Sequence, residues 1–296
     1  MEKTMKEVYI DNKDIKARIH ELGNERNPMI ICIHGLGSTS LSFIELAHLL
    51  KNEYHIISID LPGHGKTPQF LRLEDYEMPN MIRWVDKIIS HVTVGSFYLL
   101  AHSWGADIAL HYLAAYPSKV TKTMLLDGGY YLKNEWYAYQ TSKSGSTYTM
   151  QDEINYYIND FDEYCFDTLE EHINLEKSNY NRWSSLLEEA ARDLIRVEDG
   201  KYKFHANSFT STGAIKSMYL YPTDSIYEKL PSSIYLLRST QPDTMNEYRE
   251  SLADKFKNGT GSKVRLIDGA GHLVHWDKPN NVAVEIFNWF KATKRI

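Results

Sequence analysis

The chain has 296 residues, 43% of them hydrophobic and 24% charged, with a formal net charge of −6. Such a length suits one large domain, or a core carrying an inserted subdomain, and it buries enough surface to fold without metal or disulfide staples. The acidic balance, with no block of Lys or Arg, argues against nucleic acid and anionic membrane as partners, and no run approaches the ~18 apolar residues that span a bilayer.

Residues 1–7 lack the apolar stretch of a secretory signal, so the expected location is cytoplasmic. Residues 7–10 and 16–22 read as two edge strands joined by a turn at Asp11-Asn12. The apolar run 29–33 reads as a strand buried on both faces, which makes Cys32 a buried, inert thiol; with Cys165 as the only other cysteine there is no disulfide framework. Helical spacing follows over 41–50, a strand over 54–60 and a helix over 79–91, with Pro79 in the first turn, where its missing N–H costs nothing. Residues 97–101 are a predicted strand and 104–115 a helix stopped by Tyr116-Pro117; 122–126 is the next strand.

Between 130 and 230 the alternation of strand and helix stops. The stretch is rich in tyrosine, and 151–175 and 181–197 have helical spacing. The alternation then resumes with a strand at 234–238, a helix at 244–257, a strand at 263–267 and a helix at 280–291. The expected architecture is therefore α/β, a mostly parallel doubly wound sheet. Its core is assigned to 1–129 and 231–296, and 130–230 is read as an inserted, mainly helical cap. Ligands of such sheets gather beyond the carboxyl ends of the strands.

The chemistry-bearing residues fall at those ends. Ser103, in Ala101-His102-Ser103-Trp104-Gly105, sits between a strand and a helix, with small residues two positions away on either side, as a tight strand-to-helix turn requires. That turn lifts the hydroxyl out of the sheet, beside a helix N-terminus that favours developing negative charge. A plain N-cap serine is the competing reading. His272, in Gly269-Ala270-Gly271-His272, follows the last strand at the same edge and supplies a base of suitable pKa; His275 is its rival. A carboxylate must orient that imidazole. Asp243, just past the strand 234–238, is the preferred candidate, Asp127 at the end of 122–126 is the alternative, and Asp60 and Asp268 are more distant ones. The loop His34-Gly35-Leu36-Gly37 is placed to aim a backbone N–H at the site, so the N–H groups of Leu36 and Trp104 are the expected oxyanion hole. No His/Cys/Asp grouping has zinc spacing and no glycine-rich phosphate loop is present, so neither metal nor cofactor is expected.

Taken together, the His34-Gly35 loop, the loop Asp60-Leu61-Pro62-Gly63-His64-Gly65, the Ser103 elbow and the Gly271-His272 turn resemble the α/β-hydrolase superfamily in order and spacing over nearly the whole chain. The order Ser103…Asp243…His272 is that of the family. Ala101 and Ala106 stand where the family has glycine and Asp277 where it more often has Glu. The resemblance implies that the 130–230 insertion is the family's helical cap and that the Asp60–Gly65 loop is structural, with His64 outside the chemistry. Family members with an aspartate nucleophile include epoxide hydrolases and haloalkane dehalogenases; Ser103 argues against both chemistries.

The expected function is a serine hydrolase that acts through an acyl-enzyme on a small or medium, apolar ester, with Trp136, Tyr137 and Tyr139 as candidate pocket aromatics. Amides, lactones and carbon–carbon bonds are alternative substrates, and a small-molecule receptor or regulatory protein with little turnover is the alternative of another class. The expected partner is a small-molecule substrate, and the expected assembly a monomer or homodimer. An excess of Lys, Asn, Ile and Tyr suggests a bacterial source.

Overall fold

The computed structural model describes residues 4–13 and 15–290, and of residues 162 and 163 the backbone only. An eight-stranded sheet runs through the molecule. In chain order its strands are β1 (Lys6–Asp11), β2 (Lys16–Leu22), β3 (Met29–Ile33), β4 (His55–Ile59), β5 (Phe97–His102) and β6 (Val120–Leu126), followed after the insertion by two more. Those two are Ile234–Ser239 and Lys263–Ile267; the small strands β7 (Cys165–Phe166), β8 (Ile195–Glu198) and β9 (Lys201–Phe204) precede them, so they are β10 and β11. The spatial order is β1-β2-β4-β3-β5-β6-β10-β11. The β1–β2 and β2–β4 pairs are antiparallel and all the other pairs parallel.

Parallel strands need crossovers, and the helices that supply them cover both faces. Alternation along β3 shows it directly. Ile31 and Ile33 belong to one buried cluster, with residues of α2 (Met78–Val92), α3 (Trp104–Ala115) and Phe256, while Ile30 and Cys32 belong to the other, with Leu46 and Phe290. Leu46 lies on α1 (Ile44–Leu50). The strand therefore has no polar face, because both of its faces are core. Cys32 is fully buried, and burial pushes its thiol well above the ordinary range; Cys165 is exposed.

The insertion between β6 and β10 differs from the predicted helices. It holds α4 (Lys133–Ser144), α5 (Met150–Glu163), α6 (Leu169–Asn179), α7 (Ser185–Arg192) and α8 (Ser208–Leu220), and also a three-stranded antiparallel sheet in the order β7-β9-β8. The expected helix 151–175 breaks at Tyr164, because Thr168 starts a new helix with its own capping box, its hydroxyl bonded to the Glu171 N–H. The expected helix 181–197 ends at Arg192 and turns into β8, whose Ile195 packs with Leu194 and Phe204. The core continues with α9 (Asn246–Thr260), the one-turn α10 (Val274–Asp277) and α11 (Pro279–Phe290). Residue 291, the end of the predicted last helix, lies outside the described residues, as do 1–3.

Two arginines tie the insertion to the core. The fully buried Arg18 of β2 donates to Asp60 Oδ2 at 2.5 Å and, bidentately, to Asp193 at 2.7 and 2.6 Å. Arg182 donates to both carboxylate oxygens of Glu45, at 2.6 and 2.8 Å, and to the Trp276 carbonyl at 2.5 Å. Among the described residues no helix is long and apolar enough to cross a membrane.

Candidate active site

Ser103 sits between β5 and α3 with φ +52° and ψ −127°. A non-glycine residue held there is strained by ~1–3 kcal/mol and persists only where its surroundings fix it. They do so by close approach. A Cβ on Gly105 would lie 2.4 Å from the His34 carbonyl oxygen, and one on Gly128 2.4 Å from that of Ser103 itself, so both positions exclude any side chain. Ala101 and Ala106, the departures from the family's glycines, are fully buried beneath the turn and are accommodated.

The structure brings Ser103 and His272 together. His272 Nε2 is 2.9 Å from Ser103 Oγ, and His272 Nδ1 is 2.8 Å from Asp127 Oδ2. An ionised carboxylate only accepts, so Nδ1 carries the proton and Nε2 is free to accept from the serine hydroxyl. Asp127 is fully buried and takes further hydrogen bonds from the Ser239 N–H (2.9 Å), the Ser239 hydroxyl (2.8 Å) and the Tyr130 hydroxyl (2.9 Å). Burial alone raises a carboxyl group's pKa; here the bonds and charge of His272 and the donors of Ser239 outweigh it and hold Asp127 below its usual range.

Asp243, the preferred acid in the sequence, is corrected by this geometry. It lies beyond β10 on an exposed turn, where its Oδ1 accepts from Gln241 Nε2 at 3.1 Å and Asn246 Nδ2 at 3.4 Å, and it does not reach His272. The reason is the path of the chain. After Ser239 the N–H groups of Thr240 and Gln241 both bond to the Ala270 carbonyl, so the loop runs along the β11 side before Asp243 is reached. Asp127 follows β6 directly, with φ +42°, and β10 runs beside it. Two further carboxylates, Asp60 and Asp268, are also placed away from His272: Asp60 is buried against Arg18 and Ser40, and Asp268 is exposed.

His275 is also out of reach of Ser103. It is buried, bonded through Nε2 to Ser42 Oγ at 2.9 Å and stacked on Phe43, and burial pushes its pKa down to about 3. His64 is likewise pushed down to about 3, first by burial and then by His34. Its Nε2 accepts the Gly37 N–H at 3.0 Å, and His34 Nε2 accepts that of Leu61 at 3.0 Å. These two bonds clasp the loops His34–Gly37 and Asp60–Gly65 together. Leu36, beside Gly37 in the loop, lines the cavity; Trp104, the first residue of α3, also lines it and has no partner for its N–H within the helix. Asp277 holds the histidine turn, its Oδ2 accepting the Gly271 N–H at 2.7 Å.

Cavities of about 230 and 240 Å³ flank the pair, and Leu36, Ser103, Tyr157 and His272 line both. Of the predicted aromatics only Trp136 faces the first cavity. Tyr137 donates to Glu153 at 2.8 Å and Tyr139 stacks on Tyr248 with centroids 4.3 Å apart, so both support the wall from behind. The first cavity also contains three charged groups that the sequence motifs did not point to, Asp107, Lys133 and Glu153. Asp107 is one helical turn past Ser103, a spacing that shares a helix face, and this was the signal available in the sequence. Among the described residues no cluster of three or more His, Cys, Asp or Glu is placed to hold a metal ion.

The chain belongs to the α/β-hydrolase fold family, whose sequence pattern matches residues 28–279. It is similar to the uncharacterized hydrolase YugF of Bacillus subtilis strain 168, with 33% identity over a stretch covering 37% of this chain and 40% of that protein. It is also similar to epoxide hydrolase 3 of Xenopus tropicalis, with 28% identity over 40% of this chain and 33% of that protein. The matched stretch thus spans well under half the length of these relatives. Among solved structures, an E-2-(acetamidomethylene)succinate hydrolase superposes with a TM-score of 0.76 at 19% identity, covering 97% of this chain and 100% of that one. The thioesterase domain of the curacin biosynthetic pathway gives 0.74 at 16%, with the same coverage. These structural likenesses speak to the fold.

Proposed function

We propose that the protein is a serine hydrolase that cleaves carboxylic esters of small or medium size through an acyl-enzyme. The observation that supports this reading is the unbroken relay from Ser103 Oγ to His272 Nε2, and from His272 Nδ1 to the buried Asp127, at 2.9 and 2.8 Å. In the first half-reaction Ser103 Oγ attacks the ester carbonyl carbon and its proton passes to His272 Nε2. The oxyanion is received by the N–H groups of Leu36 and Trp104. The carbon–oxygen bond to the alcohol breaks, and the proton on Nε2 goes to the departing alkoxide. Water then gives its proton to Nε2 and attacks the acyl carbon, and the proton returns to Oγ as the acid leaves. Asp127 holds the tautomer and stabilises the imidazolium. A relative named epoxide hydrolase does not carry that chemistry over, because the elbow presents a hydroxyl rather than a carboxylate. The insertion acts as a cap, since Trp136 and Tyr157 from its helices form the cavity wall over Ser103.

The test is labelling with a fluorophosphonate probe read by intact mass, with Ser103→Ala beside the wild type. One adduct on the wild type and none on the variant is expected, together with ester hydrolysis lowered ~10⁴-fold or more in the variant. An unlabelled wild type, or an active Ser103→Ala protein, overturns the reading.

A further inference from the structure

We propose that the cavity beside Ser103 takes an acyl group ending in a protonated amine, with Asp107 as its counter-ion; the inference rests on Ser103 being the acylated nucleophile. Asp107 lies four residues along α3 from Ser103, ~6 Å further along the helix axis, and both line the same cavity. Its side chain is 7% exposed, and its Oδ1 is buried with no hydrogen-bond partner. A carboxyl buried in that state beside a cavity calls for an explanation, and a ligand whose positive charge pairs with it is one.

The charge arrangement decides the sign of the ligand. Lys133 Nζ donates to Glu153 Oε1 at 2.6 Å, and Tyr137 donates to Glu153 Oε2 at 2.8 Å. The lysine and glutamate therefore neutralise each other. Asp127 is held by hydrogen bonds from His272, Ser239 and Tyr130, which leaves Asp107 as the carboxyl without a partner among the described groups lining the cavity. Burial lifts the Asp107 carboxyl to about 7, against the pull of Lys133, so the empty site sits near the balance of its two protonation states. A bound ammonium restores the ionised form and pairs with the carboxylate. An acyl group ending in a carboxylate meets Asp107 and Glu153 instead. The largely apolar residues Trp136, Tyr131, Tyr157 and Met218, which also line the cavity, suit the methylenes between the ester and the amine, and aromatic rings attract cations.

The experiment compares para-nitrophenyl esters of ε-aminohexanoic acid, heptanoic acid and adipic acid (the monoester), which have chains of similar length and differ in terminal charge. For the wild type kcat/KM is expected to favour the amino ester over the heptanoyl ester by about ten- to hundredfold, the range of one charge-assisted hydrogen bond, mainly through KM. In Asp107→Asn that ratio is expected to collapse towards one, and Asp107→Ser serves as a second variant if the first does not fold. A wild-type ratio of one or below, a preference for the monoadipate, or a ratio that survives both substitutions overturns the proposal and leaves the serine-hydrolase reading standing. If none of the three esters turns over and the probe forms no adduct, that reading fails and takes the proposal with it.

Discussion

The two sides of the Ser103 hydroxyl are built on opposite rules. Towards His272, the carboxyl oxygens of Asp127 and both imidazole nitrogens are hydrogen-bonded, with donors and acceptors in a single consistent order. Towards α4 and α5, a buried carboxyl oxygen of Asp107 is left without a partner. The contrast separates two tasks. Groups that must hold one geometry are satisfied by their own fold and sit on strand ends. A group that must meet something from outside is left open, at a cost in stability.

The largest effect that would break this contrast is on the satisfied side. Asp127→Asn is expected to lower kcat ~10⁴-fold, as loss of the orienting acid does in such relays, and Asp243→Asn to change it less than about twofold, as a surface substitution away from the site. Steady-state kinetics of the two variants decide it, and a large loss in the Asp243 variant would return the acid to the place the sequence suggested. Next comes Arg18→Met, which leaves Asp60 buried without its cation and is expected to cost ~3–5 kcal/mol by chemical denaturation. A change below about 1 kcal/mol would show that Asp60 is neutral or differently compensated.

The open side is sharpened by pH. Asp107 has its folded-state pKa raised to about 7, against an unfolded value of ~3.9. The folded state therefore holds a proton that the unfolded state has released, and stability from this group is lost as pH rises between those values. Asp107→Asn removes the loss. It is expected to raise stability above pH 7 by up to a few kcal/mol, of order 1.4 per unit of pKa shift, and to change little below pH 4. Glu176, buried and raised to about 7, adds a slope of the same sign. His64 and His275 oppose it: their folded pKa is depressed to about 3, so the unfolded state binds their protons first and stability falls as pH drops from ~6.5 towards 3. Urea titrations of wild type and Asp107→Asn across this range test both signs, and a pH-independent difference between them would refute the raised carboxyl. The smallest effect is expected from Arg182→Ala. This partly exposed anchor to Glu45 should cost about 1 kcal/mol or less, and an altered ester preference at nearly constant kcat would show that the anchor positions the cap.

Much of the fold was legible in the sequence, for local reasons. The core strands are continuous apolar runs, and the helices between them have regular spacing and clear stops. The strand Lys263–Ile267 and the helix Trp104–Ala115 coincide with their predicted ranges. The insertion was less legible. Its helices bury only part of one face and its strands are as short as two residues, so periodicity over 151–175 carried across a break that only a capping box marked.

Within the site, the sequence by itself determined the strand-to-helix turn of Ser103 and the glycine-flanked turn of His272, because small residues and local backbone geometry define both. Only the tertiary structure decided the acid. Asp127 and Asp243 both lie beyond the carboxyl end of a strand of the same sheet; what decides between them is that Ser239 of β10 donates into Asp127 while the chain beyond it is drawn to Ala270 and past the site. The open carboxyl of Asp107 was beyond the sequence for the same reason. Whether a buried charge has a partner is settled by residues far from it in the chain, here Lys133 and Glu153, which the fold brings to the same cavity but pairs with one another, Tyr137 donating to the glutamate from behind.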